Sequence, residues 1–141
     1  MRLLDTQARA HIGRKLLHQS HDGELVEDPI WRWSSTPDRY LDSALRVALT
    51  SSADVRLVDT SNAPTVAVTL TAWQLEGGTT SRLAGAVELV VTATDRTVRT
   101  QVLRANEPVS SELPGDLAAA TGRLLQTLAE QSVARVTQTV R

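Results

Sequence analysis

The chain has 141 residues and a mass of 15.3 kDa, with 41% hydrophobic and 22% charged residues, the size of one ordinary domain (1–141) able to bury a real core. Fifteen Lys and Arg against sixteen Asp and Glu leave a formal charge of -1, which argues against a nucleic-acid binder driven by phosphate neutralisation. There is no Cys, which excludes a disulfide framework, a thiol nucleophile and thiolate metal ligation. Met1-Arg2-Leu3-Leu4 is cut short by Asp5, so no secretory apolar run of roughly 7–15 residues forms. Nor does any stretch approach the 18 or so apolar residues that could span a bilayer.

Residues 1–13 lack periodicity and read as a first strand or a loose N-terminal arm. Lys15 to Ser20 and Glu24 to Asp28 flank Asp22-Gly23, a dipeptide suited to a tight hairpin turn. Pro29 interrupts, and Ile30 to Trp33 forms a short extended piece. Thr36, Pro37 and Asp38 then make a helix start, as N-cap, first helical residue and favourable charge at the positive dipole end. Tyr40, Leu41, Ala44, Leu45, Ala48 and Leu49 recur at helical spacing, ending near Thr50 to Ser52.

Beyond that helix the period becomes 2. Val55 to Asp59 reads as a short strand, followed by a loop to Pro64. Val66, Val68 and Leu70 alternate with Thr residues until the phase shifts at Trp73 and Leu75, which a bulge near Ala72 or a two-sided strand would explain. Glu76 to Thr79 turns the chain back. Leu83, Gly85, Val87, Leu89, Val91 and Ala93 form one apolar face. Asp95-Arg96 is a further turn before a polar strand, Thr97 to Arg104, and Asn106 to Pro114 reads as a loop. Asp116 opens a last helix with the stripe Leu117, Ala120, Leu124, Leu125, Leu128, Ser132 and Val136. The expected fold is α+β: a single, mostly antiparallel sheet with two amphipathic helices packed on one face. Thr97 to Arg104 and Val55 to Asp59 are the expected open edges, and strand addition there is a route to a homo-oligomer.

Chemistry is thinly represented. His18, His21 and Asp22 could seed a metal site, but on a strand His18 and His21 point to opposite faces and the turn claims Asp22. His11 stands alone. Ser34, Ser35 and Thr36 are accounted for by helix capping. Glu24, Glu27 and Asp28 read as a solvated edge, and Gly77-Gly78 lacks the Lys and helix of a phosphate cradle. No catalytic residue, metal site or cofactor is therefore assigned. The aromatics say more. Trp31 and Trp33, at spacing two, share one side of an extended segment close to Tyr40, while Trp73 sits at the phase shift. Trp31, Trp33, Tyr40 and Trp73 are the candidates for partner or lipid contact, the alternative being that they plug the open end of the core.

The stretch from Leu16 to Asp59, with Arg32-Trp33, Pro37, Tyr40-Leu41, Leu45 and Leu49, resembles the ABC-type transport auxiliary lipoproteins, which include paraquat-inducible protein C. The layout of the remainder, from "LTAWQLE" through "LAGAVELVVTATD" to the closing Ala/Leu helix, is similar, so the resemblance covers about residues 8–136. It implies a noncatalytic periplasmic lipoprotein, held to the outer membrane by a lipidated Cys, that serves a lipid transporter through contacts with a mammalian-cell-entry-type subunit. This sequence holds neither signal peptide nor lipidated Cys, so that anchor is expected upstream of Met1. Two other functions stay open: a lipid carrier with an apolar pocket between helices and sheet, and a small cytosolic enzyme built on His18, His21 and Asp22.

Overall fold

Alternating apolar residues organise the centre of the molecule. A computed structural model describes residues 1–20, 22–77 and 81–140 of the chain. Its strands are β1 (Arg2–Leu3), β2 (Gln7–Ala8), β3 (Lys15–Gln19), β4 (Leu25–Arg32), β5 (Thr65–Glu76), β6 (Arg82–Thr92) and β7 (Val98–Pro108). Its helices are α1 (Pro37–Ser51), between β4 and β5, and α2 (Pro114–Val140), after β7. The seven strands form one open mixed sheet in the order β4-β3-β5-β6-β7, with β1 and β2 also paired to β5. With two helices, the architecture is the α+β fold expected.

The β3–β4, β5–β6 and β6–β7 ladders are antiparallel. β1, β2 and β3 follow one another along the same side of β5, all parallel to it. The first residues are thus a docked edge rather than a loose arm. Thr6 fixes them to α1, because Asp42 Oδ1 accepts from the Thr6 amide at 3.1 Å and from its hydroxyl at 2.9 Å. Arg46 Nε donates to the other oxygen of Asp42 at 2.8 Å. Burial pushes the Asp42 carboxyl up, and the bonds from Arg46 and Thr6 more than reverse it, leaving it below its ordinary value.

Leu41, Leu45 and Leu49 of α1 and Leu124 and Leu128 of α2 are each at most 2% exposed and join the apolar residues of β5 and β6 in one core. At about 1.5–3 kcal/mol for each fully buried Leu or Val, this layer is the main stabilising contribution. The phase shift in β5 is a bulge: Leu70 pairs with Val87 and Ala72 with Ala86, leaving Thr71 unpaired. It sets Trp73 opposite Gly85 on the core side. A Cβ at Gly85 would lie 3.1 Å from both Trp73 Cε3 and Leu128 Cδ1, so any larger residue would press on the indole and α2.

Four expectations are corrected. Val55 to Asp59 is not a strand; it runs beside the N-terminus, with Val58 N donating to Met1 O at 2.7 Å and the Met1 ammonium to Arg56 O at 3.1 Å. β7 continues through Asn106 and Glu107 to Pro108, since a proline is tolerated at the end of an edge strand. α2 starts at Pro114 rather than Asp116. Thr36 is the N-cap of α1 by position, but its side chain caps nothing; the Tyr40 hydroxyl accepts the Ser35 amide at 2.9 Å instead.

Candidate functional site: an aromatic cleft

Asp28-Pro29 puts a turn-forming carboxylate ahead of a residue with no N–H to give. In the β3–β4 ladder Glu27 pairs with Leu17 and Arg32 with Lys15, so residues 28–31 loop out opposite Leu16 alone. The freed amides are satisfied locally: Asp28 Oδ1 accepts from Ile30 N at 2.8 Å and from Trp31 N at 2.7 Å. Its other oxygen lies 2.8 Å from His18 Nε2. The Trp31 amide is the largest influence holding the Asp28 carboxyl below its ordinary value; burial opposes it, and Ile30 and His18 assist. The solvated acidic edge expected here holds for Glu27, which meets exposed Lys15 at 2.9 Å. It fails for Asp28, whose side chain is only 12% exposed because the bulge folds over it.

The bulge leaves Trp31 42% exposed at the surface. Two residues on, Arg14 clamps the main chain: Trp33 N donates to Arg14 O at 2.6 Å, and the Arg14 guanidinium donates to Ser34 O at 2.9 Å. The Trp33 ring meets Trp73 edge to face, with centroids 6.2 Å apart at 67°. Tyr40 is fixed by Ser34 Oγ at 2.6 Å as well as by the Ser35 amide. Trp31, Trp33 and Tyr40 thereby line one cleft of about 460 Å³, together with Leu16, Arg32 and Ser34. Trp73, 1% exposed, lies beneath Trp33 in the core and does not line it. The far wall is the first half of α2: Pro114, Leu117, Ala118, Thr121, Gly122 and Leu125. Gly122 and Leu125 also border a wider groove of about 1050 Å³ that continues between α1 and α2 past Ala44, Ala48 and Val133.

Chemically the cleft is mostly apolar, with Arg32 its one charged lining residue. Its hydroxyls are committed, Tyr40 to the Ser34–Ser35 loop and Thr121 to Leu117 O at 2.8 Å. No carboxylate or histidine lines it. The other candidate cluster is not assembled into a ligand set. His18 is engaged with Asp28, Asp22 bonds the Ser20 hydroxyl, and His21 lies outside the described residues. Asp22 is held below its ordinary value chiefly by that Ser20 bond. Among the described residues no group of three or more His, Cys, Asp and Glu could hold a metal ion.

Of the residues that build the site, Arg14 was not picked out by sequence reasoning, while His18 and Asp28 were read there in other roles, as a metal-ligand candidate and as part of a solvated edge. The Asp-Pro step was their one local signal, since an Asp side chain readily takes amides two and three residues on. The α2 wall gave none: Leu117 and Leu125 read as part of a core stripe and Pro114 as part of a loop.

The profile of the ABC-type transport auxiliary lipoprotein component family matches residues 12–133. A search of curated proteins finds no match. Among solved structures, protein XCC0632 from Xanthomonas campestris superposes with a TM-score of 0.85 at 17% identity, over 97% of this chain and 82% of that one. The hypothetical protein CT253 from Chlamydia trachomatis gives 0.70 at 14% identity, over 96% and 94%. A minor lipoprotein from Acinetobacter baumannii gives 0.51 at 18% identity, over 72% and 85%. At these identities the likeness is one of fold. No helix among the described residues is long and apolar enough to cross a membrane.

Proposed function

The chain belongs to the ABC-type transport auxiliary lipoprotein family, and on that premise we propose that it is a noncatalytic accessory subunit of a lipid transporter, docking a mammalian-cell-entry-type component through its aromatic cleft. In this reading it works in the periplasm, tethered to the outer membrane by a lipid anchor upstream of the present residues. The observation that carries the proposal is the cleft itself. A half-exposed Trp31, sharing the cleft with Trp33 of the edge-to-face Trp33–Trp73 pair and with an apolar helix wall, is the kind of anchor on which protein interfaces concentrate their energy. Its Tyr40 and Thr121 hydroxyls are already bonded within the fold, which leaves the aromatic rings and the helix wall to meet an apolar partner group.

The alternative, a carrier that holds lipid between helices and sheet, is disfavoured by that layer. Leu41, Leu70, Leu83, Leu124 and Leu128 fill it at 0% exposure. An enzyme built on His18, His21 and Asp22 is disfavoured by the commitment of His18 to Asp28 and of Asp22 to its turn.

The test is a photo-crosslinking residue in place of Trp31, with the transporter components co-expressed. The expected adduct is with the mammalian-cell-entry-type subunit. An adduct with lipid alone, or none while the same probe at Ile30 captures that subunit, contradicts the proposal.

A further inference from the structure

β4 and β7 stand at the two ends of the strand order, and only one of them is closed. Along β4, residues 28–31 leave the ladder, Pro29 offers no N–H, and Asp28 takes the Ile30 and Trp31 amides. β7 has no such break: its one proline, Pro108, is its last residue. Its eleven residues pair one for one with β6 from Arg82↔Pro108 to Thr92↔Val98 without a register shift, and no described strand lies on its other side. Val98 and Val102 stand 57% and 56% exposed on it. Among the described residues Arg99 has no ion pair or side-chain hydrogen bond. A row of open N–H and C=O groups this long and regular is a template for one more strand.

We propose that the added strand is β7 of a second copy of this chain, antiparallel, giving a two-fold dimer with one continuous sheet. Full overlap of Val98–Pro108 fixes the register. Val98 then faces Pro108, Arg99 faces Glu107, Thr100 faces Asn106, and Leu103 faces its own counterpart. The Arg99–Glu107 opposition occurs twice by symmetry, and directly opposed unlike charges favour a register. Glu107 engages Arg123 through Oε2 at 3.3 Å, leaving Oε1 for the second copy's guanidinium. Sliding one strand by two residues sets Arg99 opposite Ala105 or Val109 and forfeits both pairs. Because β4 is closed, each chain joins through one edge only, so assembly stops at two and does not run on into a filament. The dimer edge lies across the sheet from β4, and this inference does not rest on the docking role of the cleft.

Sedimentation equilibrium of the full chain is expected to give twice 15.3 kDa at micromolar concentrations. Arg99→Glu, which places Glu opposite Glu107 twice, weakens the dimer about tenfold, and Arg99→Glu with Glu107→Arg restores it. Since the chain has no Cys, Leu103→Cys reports the register: it forms an intermolecular disulfide with itself under mild oxidation, whereas Val98→Cys does not. A monomer at every concentration overturns the proposal. So does a dimer of folded protein indifferent to Arg99→Glu, or cross-linking through Cys at position 98 and not at 103.

Discussion

β4 and β7 bound the same sheet, yet β4 breaks its ladder within eight residues while β7 keeps eleven in unbroken register. The difference lies in side-chain chemistry at a few positions. Asp28 and Pro29 divert the β4 backbone, and the diverted amides are satisfied by a carboxylate rather than by a strand. That closes the edge to other chains and at the same time presents Trp31 to solvent over the cleft. The one carboxylate of β7, Glu107, accepts from Arg123 rather than from the strand's own amides, so no side chain diverts that backbone. One edge presents an aromatic side chain, the other an unbroken main chain.

The strongest way to break the contrast is to remove the support under β4. Trp73→Ala empties the space beneath Trp33 and is expected to cost about 3–5 kcal/mol in urea unfolding, because the indole is 1% exposed. The lip of the cleft goes with it, while pairing along β7 is untouched. A cost below about 1 kcal/mol would mean that Trp33 does not rest on Trp73.

A smaller effect isolates the bulge. Asp28→Ala leaves two amides without their acceptor, and the expected loss is about 1–3 kcal/mol at pH 7. Because the Asp28 carboxyl is held below its ordinary value of about 3.9, its contribution is fully present above that pH and is lost as pH falls through the folded value. The gap between the parent and Asp28→Ala therefore closes below about pH 4. Unfolding curves at neutral and acid pH check this; a gap that widened in acid would contradict it.

Much of the fold was legible because it is written locally. The 3.6 spacing of Leu41, Leu45 and Leu49, the stripe on α2 and the slipped alternation at Trp73 each report a short-range constraint, and each appears where the pattern put it. What was not legible depends on distant partners. Nothing within residues 1–13 announces that they pair in parallel with β5, more than fifty positions away. Pro108 looked like a loop marker, but it is the last residue of β7, where one missing N–H interrupts no ladder. Of the four aromatic candidates, spacing brought Trp31, Trp33 and Tyr40 to one place, but the α2 wall that turns them into a cleft is supplied by tertiary packing.

The most direct test sets the two edges against each other in one binding experiment. The purified mammalian-cell-entry-type subunit is titrated with the parent protein, with Trp31→Ala and with Arg99→Glu, thermal unfolding being used to confirm that both variants are folded. The account predicts that Trp31→Ala weakens binding about tenfold or more and that Arg99→Glu leaves it within about twofold, since hot-spot energy concentrates in buried aromatic anchors. Full binding by Trp31→Ala would contradict it.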